Sequence, residues 1–152
     1  MKVECSDQKT FQLKDNEKLL GQLIYKNLLS YNAEIILTNS DSFEIKTSGI
    51  SGTSITVSKN EIEIANLKLS WKGNIVMTFQ DGKEYVFKCK GTFHRYYIIE
   101  NTNEEKLIQF KPIFNLGKFR YNFEISYDEK PEDILLVLLG VYASNYSIFE
   151  LL

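Results

Sequence analysis

The chain has 152 residues, 43% hydrophobic and 25% charged, the balance of one globular domain that buries roughly 70% of its unfolded surface in a single core. Its 18 basic and 20 acidic side chains leave a net charge of −2, which argues against a dedicated nucleic-acid binder. Two cysteines and one histidine are too few for a disulfide framework or a four-ligand zinc site, and they remove most triad and metal-hydrolase chemistry.

In chain order, Met1 to Asp7 lacks the apolar stretch of a signal peptide, so the cytoplasm is the expected compartment and both thiols are expected to be reduced. Three alanines against sixteen isoleucines and twenty aromatics favour strands over helices. Period-two alternation supports strands from about residue 10 to about 127. It is seen in Phe11 and Leu13, Leu23 and Tyr25, Phe43 and Ile45, Ile55 and Val57, and Ile62 and Ile64. It continues in Leu67, Leu69 and Trp71, in Tyr85, Phe87 and Cys89, and in Phe119, Tyr121, Phe123 and Ile125. Turn residues punctuate these runs at Asp15-Asn16, Asn39-Ser40-Asp41, Ser48-Gly49 with Ser51-Gly52, Lys59-Asn60, Gly73-Asn74, Asn101 to Glu105 and Asn115 to Gly117. Asp81-Gly82 predicts a type I′ hairpin between Ile75–Phe79 and Glu84–Cys89, because both residues tolerate the positive φ such a turn needs.

The pattern changes after Lys130. Ile134 to Ala143 is apolar at all ten positions, half of the roughly 20 that a membrane span needs. Pro131 suits a first helical turn, and Glu132 and Asp133 place negative charge at the positive end of the dipole. These features predict a helix over about 131–144. A helix that is apolar all round must be enclosed. The expected fold is therefore one domain over residues 1–152, mainly β. An antiparallel barrel or closed sheet of about 10–12 strands wraps round the C-terminal helix, and Gly140 lets a neighbour approach the axis. Two sheets with the helix across an open end is the alternative.

The strand pair Phe11 to Leu13 with Leu20 to Tyr25, the Phe119 to Ile125 strand and the terminal Asp133 to Leu139 helix together resemble the tubby C-terminal-like group, which includes LURP-one-related proteins and phospholipid scramblases. The resemblance is one of element order and length over nearly the whole chain. It implies a twelve-stranded barrel round a hydrophobic helix. Tubby members bind phosphoinositide headgroups through basic residues, but no ligand motif of theirs matches here residue by residue, so that function does not follow from the fold.

Chemical candidates are few. His94 has no designated carboxylate or nucleophile and reads as an outward or rim residue. Cys89 is in phase with Phe87 and reads as core, while Cys5 sits near the terminus in a position that allows exposure. The acidic block Glu129 to Asp133 is explained by a helix start, and no nucleotide or hydrolase glycine motif is present. No metal or cofactor is called for. The basic side chains are more informative. Lys83 to Arg120 carries 8 basic and 4 acidic residues. Lys88 and Lys90 lie opposite the apolar face of their strand, and Lys118 and Arg120 lie opposite Phe119 and Tyr121. With Arg95 they form a candidate anion-binding set.

The favoured functional reading is a non-catalytic binding module that offers this basic surface to an anionic lipid headgroup or a protein partner, with at most peripheral membrane contact and no nucleic acid. Two readings compete with it. An enzyme with an unmarked carboxylate or tyrosine site needs a deep polar pocket, and a carrier of apolar ligands competes with the helix for the interior.

Overall fold

The computed structural model describes residues 1–48 and 54–150. The first half of the sheet is β1 (Lys2–Cys5), β2 (Thr10–Asp15), β3 (Lys18–Tyr25), β4 (Ala33–Leu37), β5 (Ser42–Ser48) and β6 (Ser54–Lys59). The second is β7 (Ile62–Leu69), β8 (Ile75–Phe79), β9 (Glu84–Lys90), β10 (Tyr96–Glu100), β11 (Lys106–Asn115) and β12 (Arg120–Ser126), followed by α1 (Ile134–Glu150). Each strand pairs antiparallel with its chain neighbour, and β1 pairs with β12 to close a twelve-stranded barrel. Closure pairs every inner strand on both sides and leaves no open sheet edge.

Alternation decides which side chains face inward. Phe11 and Leu13, Ile55 and Val57, Ile75 and Met77, and Phe123 and Ile125 are all buried, and they belong to one core cluster with the helix. The sheet begins earlier than the pattern predicts. β1 contributes only Val3 and Cys5 to the interior, too short an alternation to register in sequence. Two other strands are shorter than expected, one at its end and one at its start, because alternation extends into turns. Trp71 lies in the β7–β8 turn and Phe119, at φ +54°, in the β11–β12 turn, and both are exposed. Asp81-Gly82 does join β8 to β9, but only Gly82 of the two has positive φ. The Phe79 carbonyl accepts from Gly82 N at 3.0 Å and Phe79 N donates to the Lys83 carbonyl at 2.8 Å. This is the longer hairpin loop ending in a left-handed glycine rather than a type I′ turn. The expected turn at Gly49, Ser51 and Gly52 falls outside the described residues.

The barrel is built in threes. The pattern Asn-Glu-x-x-(Leu/Ile)-x-x-(Leu/Phe) occurs at Asn16 to Leu23, Asn60 to Leu67 and Asn103 to Phe110, each time opening an odd-numbered strand, β3, β7 or β11. Glu17, Glu61 and Glu104 share a left-handed backbone, at φ +67°, +65° and +61°. The register shifts at matching places, between Leu13 and Lys14, Val57 and Ser58, and Ile99 and Glu100. The last apolar residue of each pattern meets an inward partner, Leu23 on Phe11, Leu67 on Ile55 and Phe110 on Tyr97. The units are β2–β5, β6–β9 and β10–β12 with β1 as the missing fourth strand.

α1 starts at Ile134 rather than at Pro131. Asp133 caps it from outside, its Oδ1 accepting from Leu136 N at 3.2 Å. It also runs past residue 144, because the polar residues there find internal partners. Ser144 Oγ donates to the Gly140 carbonyl at 2.7 Å and Asn145 Nδ2 donates to Tyr25 Oη at 3.2 Å. All thirteen residues from Leu135 to Ser147 are buried, so no face of the helix meets water and the barrel encloses it. The fit is close where glycines remove side chains. A Cβ on Gly140 would overlap the Phe110 ring, and one on Gly21 would sit 3.0 Å from a Leu138 methyl group. Each fully buried Leu or Val contributes about 2 kcal/mol through lost water contact. Among the described residues no helix is long and apolar enough to cross a membrane.

Candidate functional site

Consecutive antiparallel strands place alternate hairpins at opposite ends of the barrel. Even-to-odd connections, together with the β12–α1 segment, form the mouth where the helix enters. Odd-to-even connections form the mouth where it exits.

The exit mouth is closed by tyrosines. Tyr142 Oη donates to the Tyr31 carbonyl at 2.8 Å, and Tyr31 Oη donates to Glu150 at 2.7 Å. The Tyr25 ring stacks on Tyr142 at 6.0 Å, and Tyr31 meets Tyr146 at 4.9 Å. Burial pushes the Tyr25, Tyr31 and Tyr142 hydroxyls well above the usual tyrosine range. They stay protonated and serve as hydrogen-bonding struts rather than as bases.

Arg120 stands beside this plug. Its Nε donates to the Gln8 carbonyl and its Nη1 to the Phe119 carbonyl, both at 3.2 Å, and the guanidinium lies 5.0 Å from the Phe149 ring centroid. These contacts tie together the β1–β2 loop, the β11–β12 turn and the end of α1. The residue lines a cavity of about 310 Å³ with Phe11, Tyr25, Leu28, Asn145 and Phe149, apolar walls with one fixed cation.

The five candidate basic residues do not all share this place. Lys90, Arg95, Lys118 and Arg120 lie at the exit mouth or on the strands leading to it. Lys118 and Arg120 are neighbours on the β11–β12 turn, whereas Arg95 lines a separate groove with His94, Lys111 and Tyr121. Lys88 lies lower on the outer wall, where its Nζ pairs with Glu100 at 2.7 Å. That hydrogen bond holds the Lys88 ammonium above the ordinary lysine range. Alternation in sequence places Lys88 outward, but the β9–β10 register decides that a buried carboxylate is beside it.

Other candidates resolve simply. Cys5 is buried, not exposed. Its Sγ–H donates to Asn122 Oδ1 at 3.1 Å, and burial pushes the thiol up. Cys89 is half-buried at the edge of the core, and His94 is exposed in the β9–β10 loop. Among the described residues no three His, Cys, Asp or Glu side chains gather to hold a metal ion.

Sequence reasoning missed Tyr31, Asn145 and Phe149. The partners of Tyr31 and Asn145 lie over a hundred residues away, on α1 and β3, and Phe149 reaches Arg120 only because the helix runs past residue 144, so no local signal marks them. Comparison with known proteins finds no protein family, no curated protein and no solved structure that matches the chain.

Proposed function

We propose that this protein is a non-catalytic binding module that holds an anionic lipid headgroup at the exit mouth, with Arg120 as the charged contact. The observation that carries the reading is the fixed guanidinium in the rim of an open, mostly apolar cavity. Two of its five N–H donors are used on backbone carbonyls, and the rest suit the oxygens of a phosphate. The filled interior adds support. The helix takes the space that an internal apolar ligand would need. We read the architecture as tubby-like on element order alone.

Co-sedimentation with phosphatidylserine vesicles tests the proposal. Binding is expected at low salt and lost at high salt. Arg120→Ala should weaken it roughly ten- to a hundredfold, the range of a lost charge-assisted hydrogen bond. Lys46→Ala, on the outer wall beside Glu44, should leave it unchanged. Equal binding by wild type and Arg120→Ala, or none to anionic vesicles, overturns the reading.

A further inference from the structure

Among the described residues, large apolar side chains are exposed almost entirely at one end of this molecule. Leu28 and Leu29 project from the β3–β4 loop, Trp71 from β7–β8, Phe93 from β9–β10, and Leu116 and Phe119 from β11–β12. Leu29, Trp71 and Phe93 are 98%, 91% and 95% exposed. All of these connections open on the exit mouth. Among the described residues of the entry mouth only Ile62 is comparably exposed.

The placement follows the threefold plan. The loop after the second strand of each unit, β3–β4, β7–β8 and β11–β12, carries an apolar tip each time. Turn formation does not require this, since loop tips ordinarily carry small or polar residues. One apolar residue on a surface is unremarkable, but a set of them round one rim marks a contact surface.

Charge identifies the contact. Lys26, Lys72, Lys90, Arg95, Lys118 and Arg120 are interleaved with the apolar tips. Lys72 Nζ lies 5.3 Å from the Trp71 ring centroid. The acidic side chains at this mouth are already engaged: Asp7 accepts from Lys9 N and Thr10 N, and Glu150 accepts from Tyr31 Oη. The opposite mouth carries Glu104, Glu105, Asp128, Glu129 and Glu132, all exposed. A flat anionic surface with an oily interior complements the first end and repels the second.

We infer that the exit mouth docks end-on to an anionic bilayer, its loop tips entering the headgroup region while the barrel axis stands away from the membrane. The inference rests on the headgroup reading above and adds insertion to it. An aromatic ring and a lysine stem side by side suit that interface, where one part is buried and the other stays wet.

Trp71 is the sole tryptophan, so the wild-type protein reports on its own rim. Its emission should shift to shorter wavelength on adding vesicles of phosphatidylcholine and phosphatidylserine at 7:3, and lipids brominated along the acyl chain should quench it. Leu29→Ser and Phe93→Ser should each lower vesicle partitioning about tenfold, and together about a hundredfold because the loops are separate. Ile62→Ser, on the opposite mouth, should change nothing. Salt-sensitive, Arg120-dependent vesicle binding with unaltered Trp71 emission and unaffected rim variants overturns insertion and leaves headgroup binding standing. Absence of vesicle binding removes both. A shift of Trp71 that grows with protein concentration in the absence of lipid also overturns the inference and assigns the rim to a second copy of the chain.

Discussion

The two mouths of the barrel are built with the same turn chemistry and finished with different side chains. At the entry mouth Asn39 Oδ1 accepts from Asp41 N at 2.9 Å, and Asn101 Oδ1 accepts from Asn103 N at 2.9 Å. At the exit mouth Asn27 Oδ1 accepts from Leu29 N at 3.0 Å in the same manner. Both ends satisfy their backbones locally, so the leucines, tryptophan and phenylalanines of the exit mouth are not needed to make its turns. Polar tips at one end and apolar tips at the other therefore do not follow from how each end folds, and the proposed docking of the exit mouth accounts for the difference.

The largest expected effect reaches both mouths at once, through the one element that runs between them. Gly140→Ala should destabilise the fold by about 3 kcal/mol, because the overlap with Phe110 exceeds the roughly 1 kcal/mol that alanine gains in helix propensity. Urea denaturation measures it, and Phe110→Leu in the same chain should recover part of the loss. Selective loosening of one mouth in hydrogen exchange would show that the helix does not couple them.

The alkaline limb of a pH series should separate the ends. At the exit mouth burial raises the Tyr25, Tyr31 and Tyr142 hydroxyls. Above pH about 10 the unfolded chain releases protons that the folded chain retains, so stability is full below that pH and falls as pH rises through the folded values. At the entry mouth hydrogen bonds from Lys130 and Lys59 lower the Asp15 and Asp41 carboxyls. Their contribution is present above pH about 4 and is lost as pH falls through the folded values. Amide exchange should thus rise first at the β3–β4 loop in alkali, and in acid at the β2–β3 and β4–β5 turns together with the β1–β2 loop, where hydrogen bonds from Lys9 N and Thr10 N lower the Asp7 carboxyl.

Smaller changes sharpen the contrast. Glu61→Gly at the entry mouth should stabilise by about 0.5 kcal/mol, since glycine relieves the left-handed backbone at some cost in chain entropy. Leu29→Ser at the exit mouth should shift stability by less than about 0.5 kcal/mol, because the side chain is almost wholly in solvent. Thermal or urea midpoints measure both.

Much of the scaffold was legible in the residues. Ile134 to Ala143 has no polar position, and that alone demands enclosure by the strands that precede it. Alternation located most of those strands, failing where it was too short, as in β1, or where it continued into turns, as at Trp71 and Phe119. Those two failures are informative, because an apolar residue read as core proved to be rim. The site itself was only half legible. Period two shows that Lys88 leaves the inner face, but Glu100 beside it comes from strand register, and Arg120, read as pointing away from the core, turns instead onto Phe149 at the end of the helix. The threefold pattern was present throughout in three Asn-Glu pairs, which local reading treated as separate turns.

The third unit is divided along the chain. Its first three strands, β10 to β12, come late, and its fourth, β1, comes before everything else. The seam between them is short, with Lys2 opposite Glu124 and Val3 opposite Phe123. During synthesis the strands therefore emerge with an apolar lining before the helix that fills them. Until α1 follows and the seam closes around it, a nascent chain of this design exposes apolar surface of the kind that makes folding intermediates prone to aggregate.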